Sequence, residues 1–540
     1  MTEFNVGIDL GTTNTAATYC IVNARGEKVY NTVKFNNNNL LPSCVEFRNG
    51  TQYYGEAAKK ACKRPRSIVI TNSKRILGRS AFSPEVREMG DYCGVPIIEK
   101  NGKPYFHIAS INKDLSPEDV ATLILKNVLK TAYETAGKRT LRKVMVTVPA
   151  MFDNNQRTAT KMAAEKALEE LRSEGEISMD RNVEINVMNE PTAAAYCYGL
   201  NNNAEDMNVL VYDFGGGTFD VTILKITAGE FKVIQTNGNN HLGGTDIDRI
   251  LCDHFINEYK KKYNTDCIAD HLDEANKMKL RRVIQSVAEE KKINLSSSYE
   301  VDVPYGQYAH LIAQDDDSDD EEECFILSRQ TLNDLIDDIV NQSFDVVNTA
   351  LRQSGLTPRD IDHVILVGGS SLIPVISEKL IEMFGETKLR KTVDASLCVS
   401  QGACMRISET VGVPALVDIT TYSLSTSMYG DRYLCMIPKG VSLPFSYTES
   451  FHPSRDYMEF ITSDLLQWNC ENAGKIGDIS SEMVKVGRYT YRDFRCGLKE
   501  SITLVETYTF KENGIVHIFV QEKETGKVLY DDDLTWNDVQ

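Results

Sequence analysis

The run Val211-Tyr-Asp-Phe-Gly-Gly-Gly-Thr-Phe-Asp-Val221 leaves few folds open. An apolar stretch from Val209 enters it and an alternating one, Val221 to Ile226, leaves it, which reads as strand, tight turn, strand. Three successive glycines, Gly215, Gly216 and Gly217, permit positive φ and let backbone N–H groups approach a ligand unshielded. A nest of N–H groups suits phosphate. Asp213 and Asp220 flank it, and Thr218 adds a hydroxyl. Carboxylates beside a phosphate cradle make sense when a cation lies between them, directly or through water. An ordinary hairpin has the same local pattern, so the decision rests on the rest of the chain.

Val6-Gly-Ile-Asp-Leu-Gly-Thr-Thr-Asn-Thr-Ala16 repeats the arrangement. Asp9 falls on Asp213 and Gly11 on Gly215, with Thr12, Thr13 and Asn14 following. Two such turns point to a duplicated unit, with one loop from each copy gripping a polyphosphate. Other glycine turns are His241-Leu-Gly243-Gly244 and Gly368-Gly369-Ser370, the latter opening a helix.

At 540 residues the chain exceeds one core. Its 42% apolar and 25% charged content are those of a soluble globular protein. A net charge of −18 argues against nucleic-acid binding. No apolar run reaches the length of a membrane span, and no basic, then apolar leader precedes the strand at Phe4. The thirteen cysteines are scattered, without C-x-x-C pairs, as for reduced thiols in a cytoplasmic protein.

Along the chain the texture is α/β, with a strand at Val144 to Val148, helices at Asn154 to Arg172, Asp246 to Lys262, Asp273 to Leu295 and Thr331 to Leu351, and a strand at Val364 to Val367. Asn189-Glu190-Pro191 ends a strand and opens a helix, where Glu190 projects or simply favours the helix dipole. The acidic run Asp315 to Glu323 reads as a solvated loop, with Ser318 as a phosphorylation candidate. After Val413-Pro414, short alternating runs replace helical periods and predict an all-β sandwich.

The chain lacks both the P-loop and the dinucleotide fingerprint. Phosphoryl transfer to water needs a bridging metal, a cation near the γ-phosphate and a residue that orients water. Asp9 and Asp213 suit a hydrated magnesium, and Thr12, Thr13 and Thr218 suit phosphate oxygens. Lys74 is one candidate cation, which spacing alone does not single out.

Gly7-Ile-Asp-Leu-Gly-Thr-Thr13, Lys74-Arg-Ile-Leu-Gly-Arg79, Val146-Thr-Val-Pro-Ala150, Asn189-Glu-Pro-Thr-Ala-Ala-Ala195, Asp213 to Asp220, His241 to Gly244 and Val367 to Ser370 occur in that order. Together they resemble the ATPase domain of the heat-shock protein 70 (DnaK-type) chaperone family, of the actin and sugar-kinase superfamily. Asn513-Gly-Ile-Val and Glu524-Thr-Gly-Lys527 resemble that family's peptide-binding sandwich.

The resemblance implies an α/β, duplicated, actin-like (ribonuclease H-like) two-lobed ATPase domain at 1–409. Its lobes lie at about 1–204 and 205–391, with a closing helix at about 395–409. A linker at 410–418 and a β-sandwich at 419–540 follow. It implies ATP or ADP, magnesium and potassium as cofactors. Lys74 would orient the attacking water; Glu190, Asp213 and Asp9 would arrange magnesium and water; Thr218 would contact the γ-phosphate. Glu289, Lys292 and Ser296 would meet ribose and adenine, and Pro149 and Arg157 would relay nucleotide state to the linker.

Departures accompany the match. Ile293 and Leu372 stand where the family stacks arginines on adenine, a loss of about 0.5–2 kcal/mol per cation–π contact. Weaker nucleotide binding is therefore predicted. The linker is reduced to Ala415-Leu-Val-Asp418. Thr426 replaces an apolar peptide contact, Phe451 is kept, and Met428 and Tyr429 are placed in the same groove. The sequence stops where the family's helical lid would begin, so a lidless member is expected.

The expected function is a slow ATPase and stress-response chaperone. It would bind extended apolar polypeptide transiently, with a J-domain cochaperone and a nucleotide-exchange factor as partners. One alternative is a regulatory or ribosome-associated member with little client holding. Another is a small-molecule kinase, which the sandwich disfavours.

Overall fold

The computed structural model describes residues 3–535 apart from 65–66, 91–94, 202–205, 228, 269–271, 306–322, 391–393 and 410–414. Ser318, nearly all of the acidic run and the Val413-Pro414 step lie outside the described residues.

Two sheets share one strand plan. The first runs Met179–Asn189, Thr140–Val148, Glu3–Leu10, Asn14–Val22, Lys28–Thr32. The second runs Leu389–Arg390, His363–Val367, Met207–Phe214, Phe219–Thr227, Glu230–Asn239. In each, three parallel strands are followed by two antiparallel ones. The duplication read from two short motifs thus extends to whole sheets. Asp9 lies opposite Ala16, and Asp213 opposite Asp220, at the mouths of equivalent hairpins.

Each sheet has its own apolar core. A third cluster joins helices Glu190–Asn201 and Cys398–Ser408 to both. Ala193, Ala194 and Ala195 are fully buried there. A Cβ on Gly402 would stand 1.8 Å from Ala193 O, and one on Gly7 would stand 2.2 Å from Cys404 N. The backbones meet so closely that no side chain fits between them.

Local signals explain the helix boundaries. Asp153 and Gln156 form a reciprocal capping box, and Gly175, at φ 66°, ends helix Asn154–Glu174. Helix Pro117–Thr135 is absent from the sequence reading, although Ser116 and Asp119 cap it in the same way. No helix among the described residues is long and apolar enough to cross a membrane.

Beyond residue 418 the chain forms a sandwich. One sheet orders Ile476–Asp478, Arg432–Ile437, Ser423–Met428, Phe460–Trp468, Val484–Arg492, and the other Phe445–Phe451, Leu504–Phe510, Val516–Glu522, Val528–Asp533. Its core holds a polar group: the Glu506 carboxyl accepts from Tyr489 at 2.8 Å, from Tyr491 at 2.6 Å and from Tyr508. All four are almost wholly buried.

The sandwich packs on the first turn of helix Asn154–Glu174. Asn154 N donates to Gln467 Oε1 (2.9 Å) and Asn154 Nδ2 to Leu534 O (3.1 Å), while Val516 N donates to Asn154 Oδ1 (3.0 Å). Leu416–Val417 is a strand, pairing parallel with Phe231 and Lys232 at the edge of the second sheet. The next residue, Asp418, accepts from Asn189 Nδ2 at 2.8 Å and Thr192 Oγ1 at 3.0 Å.

Candidate functional site: the cleft between the two lobes

The two hairpin mouths and the turn after His363–Val367 enclose one cavity of about 180 Å³. Asp9, Gly11, Thr12, Thr13 and Asn14 line it from the first lobe, and Asp213, Gly215, Gly216 and Thr218 from the second. Lys74, Glu190, Gly244, Glu289, Lys292, Ile293, Ser296, Gly368, Gly369 and Ser370 line it too. Gly217 and Gly243 stand just behind: a Cβ on Gly217 would meet Thr12 Oγ1 at 2.8 Å, and one on Gly243 would meet Gly216 O at 2.5 Å.

Gly216, Gly217 and Gly243 act by close approach rather than by positive φ. Gly215, Gly216 and Gly217 are not among the left-handed residues, contrary to the sequence reading. A Cβ on Gly216 would lie 2.2 Å from Thr13 Oγ1. The two loops therefore touch each other through the missing side chains. Gly368 alone of these turn glycines has positive φ (78°), and a Cβ there would also meet Phe214 O at 2.4 Å.

Lys74 and Glu190 form a buried ion pair at 2.7 Å. Around them, acidic groups exceed cations. Burial, then Glu190, pushes Asp9 up to about 7, against the pull of Lys74. Burial, then Glu190, also raises Asp220 to about 7. Asp213 is raised well above the carboxylate range by burial, Glu190, Asp220 and Asp9. Asp213 Oδ2 is buried without a partner, as is Asp220 Oδ1, whereas Asp220 Oδ2 accepts from Ala150 N at 3.1 Å. Orphaned buried carboxylate oxygen is expensive. A hard divalent cation held through Asp9 and Asp213, directly or through water, fits this donor set.

A family profile described as Hsp70 protein matches residues 5–530. The chain belongs to the Hsp70 family. It is also 29% identical over 533 residues to the chaperone protein DnaK of Buchnera aphidicola subsp. Schizaphis graminum (strain Sg), covering 97% of this chain and 77% of that protein. The duplicated actin-like lobes and the β-sandwich are the architecture of the family.

Other Hsp70 positions sit as follows. Ile293 is 59% exposed at the cavity edge, and Leu372 is 51% exposed beside the lining residues Ser370 and Ile373. Glu289 pairs with Lys59, and Lys292 bonds Asp248 (2.7 Å) and Gly244 O (2.9 Å). Pro149 precedes the loop whose carbonyls hold Arg157: Nη2 donates to Ala150 O and Nε to Phe152 O, both at 2.9 Å. Arg157 Nη1 also reaches the sandwich, donating to Asn513 O at 3.5 Å, and a Cβ on the neighbouring Gly514 would stand 3.3 Å from its guanidinium. Thr426 is buried between Leu434 and Leu465 in one sheet, and Phe451 is half-buried in the other. Met428 and Tyr429 are exposed.

Sequence reasoning missed Arg75, Asp248 and Lys59. Arg75 crosses the cleft to Thr245 Oγ1 (2.7 Å) and Asp246 (2.9 Å). Asp248 lines the cavity and is raised to about 7, by burial first. Arg75 adjoins Lys74 in a quoted motif, the one available signal; the other two lie on helix faces with no pattern of their own.

Proposed function

We propose that this chain is an ATP-hydrolysing chaperone whose nucleotide cleft governs transient binding of extended apolar polypeptide. The observation that carries this reading is the convergence of both phosphate loops, Lys74, Glu190, Asp9 and Asp213 on one cavity. In it, Lys74 orients and polarises the attacking water from a position fixed by Glu190. Thr12, Thr13 and Thr218, with the loop N–H groups, hold phosphate oxygens. Asp9 and Asp213 would hold magnesium, which would supply positive charge to the phosphate oxygens.

Residues 1–409 are read as the nucleotide domain, 410–418 as the linker and 419–540 as the client-binding sandwich. Arg157, held by the Pro149 loop and by sandwich residues, suits a relay between them. A J-domain cochaperone and an exchange factor are the partners this cycle calls for. Burial of Thr426 favours a second reading, a regulatory member with little client holding.

Single-turnover ATP hydrolysis with and without an apolar peptide separates the readings. Peptide-stimulated turnover supports the chaperone. Binding without turnover supports the regulator, and no nucleotide binding removes both.

The raised carboxyls give a pH dependence. Without metal, the native state keeps protons on Asp9 that the unfolded chain has released. That contribution to stability is lost as pH climbs from about 4 to about 7. A cation must displace the same proton, so magnesium-dependent ADP binding is expected to be about tenfold weaker at pH 6 than at pH 8. Calorimetric titration at the two pH values measures it; equal affinities would remove Asp9 from the metal site.

A further inference from the structure

Cys44 stands two residues after strand Leu40–Pro42, and Cys62 caps helix Glu56–Ala61. The fold brings them together. Each is 3% exposed, they pack with Ala58, Ala61 and Val69, and their thiols are hydrogen-bonded to each other. Cys62 Sγ lies 3.6 Å from Ala58 O, and Cys44 Sγ 3.7 Å from Gly55 O. The two sulfurs differ in character. The bond from Cys44, then the nearby Lys59 and Arg282, pull the Cys62 thiol below its ordinary value against burial and Glu289. The same bond, with burial, pushes Cys44 up. Cys62 is thus the sulfur that ionises more readily and Cys44 the one that holds its proton, so Cys62 suits the nucleophile and Cys44 the resolving partner.

Both line a cavity of about 40 Å³ with Thr12, Thr13, Lys59 and Arg282. That space holds a few water-sized molecules. Hydrogen peroxide fits it, and a tripeptide disulfide such as oxidised glutathione does not. Cys44 also adjoins Ser43, whose N–H donates to Thr13 O and whose hydroxyl donates to Gly11 O, both at 2.8 Å. The pair therefore lies directly beneath the first phosphate loop.

We propose that Cys62 and Cys44 form an oxidative modification site, at which hydrogen peroxide converts the dithiol to an intramolecular disulfide. The Cys62 thiolate attacks one peroxide oxygen, the O–O bond breaks, and Cys62 becomes a sulfenic acid. The departing hydroxide takes the Cys44 proton and leaves as water. The Cys44 sulfur then attacks the Cys62 sulfur, the S–O bond breaks, and the second hydroxide picks up the proton released when Cys62 ionised. Two thiols are oxidised to one disulfide and one peroxide is reduced to two waters.

The test exposes the full chain to hydrogen peroxide, alkylates the remaining thiols and maps peptides without reduction. A Cys44–Cys62 linked peptide is expected, with the exposed Cys324 and Cys496 as internal references for thiol oxidation. In Cys44→Ser, unfolding the peroxide-treated chain in denaturant that contains dimedone should trap a sulfenic acid at Cys62; in Cys62→Ser, Cys44 should stay reduced. Circular dichroism of both variants checks that they fold. Oxidation of Cys324 and Cys496 with Cys44 and Cys62 still reduced would overturn the proposal, as would an untrapped Cys62 in folded Cys44→Ser. None of these readouts uses nucleotide, so the result stands apart from the ATPase reading.

Discussion

Lys74→Ala is expected to lower single-turnover ATP hydrolysis by about 100- to 1000-fold, the effect of removing one preorganised charge from a transition state. Lys74 pairs with Glu190, its charge pulls against the raised Asp9 and Asp213 carboxyls, and it is 7% exposed. Its loss leaves Glu190 buried without its ion-pair partner and removes the charge that holds Asp9 down. Stability should fall too, since breaking a buried pair from one side costs about 3–5 kcal/mol. The double variant Lys74→Met, Glu190→Gln separates the two effects. It removes both charges, so it should regain much of the stability while hydrolysis stays lost. ADP binding should survive in Lys74→Ala, because Thr12, Thr13, Gly368 and Ser370 belong to other parts of the cavity. Hydrolysis within tenfold of the parent chain would show that Lys74 does not serve the reaction.

The second large effect lies in the sandwich. Glu506→Ala is expected to destabilise it by about 3–5 kcal/mol. The Tyr489 and Tyr508 hydroxyls lie 2.6 Å apart and can still bond each other, but Tyr491 loses its acceptor at 2.6 Å, and a cavity opens. Burial raises all three phenols, so they stay neutral donors that need an acceptor. Glu506→Val combined with phenylalanine at 489, 491 and 508 should recover most of the loss, because an apolar set of similar volume satisfies the same space. The chain's two tryptophans, Trp468 and Trp536, both follow residue 419, so tryptophan fluorescence during urea unfolding reports this unit. A midpoint unmoved by Glu506→Ala would mean that the tyrosines find other acceptors.

The site was legible where chemistry is local in sequence. The two acid–glycine–threonine turns carried their own pattern, and the sheets built around them followed from it. Lys74 and Glu190 lie 2.7 Å apart only because two distant loops meet, and the family resemblance, not spacing, singled out Lys74. Asp248 and Lys59 sit on helix faces where a charge reads as solvated. Alternation along Val484–Arg492 and Leu504–Phe510 marks which residues point inward, but not that the inward set is Tyr, Tyr, Glu and Tyr bonded together. Positive φ was assigned to Gly215, Gly216 and Gly217 because a turn was all that sequence could show. The real constraint on Gly216 is a threonine from the other lobe. The pairing of Cys44 with Cys62 likewise arises between a strand end and a helix end, outside any spacing rule.

The Phe231 amide donates to Ala415 O at 2.8 Å, immediately before the Leu416–Val417 strand. That proton is shielded from solvent by a backbone oxygen belonging to the connecting segment, while the Phe231 ring stays fixed in its own sheet. Its deuterium uptake is therefore a clock for how often the segment lifts away, readable in the unmodified protein with no dye or label attached.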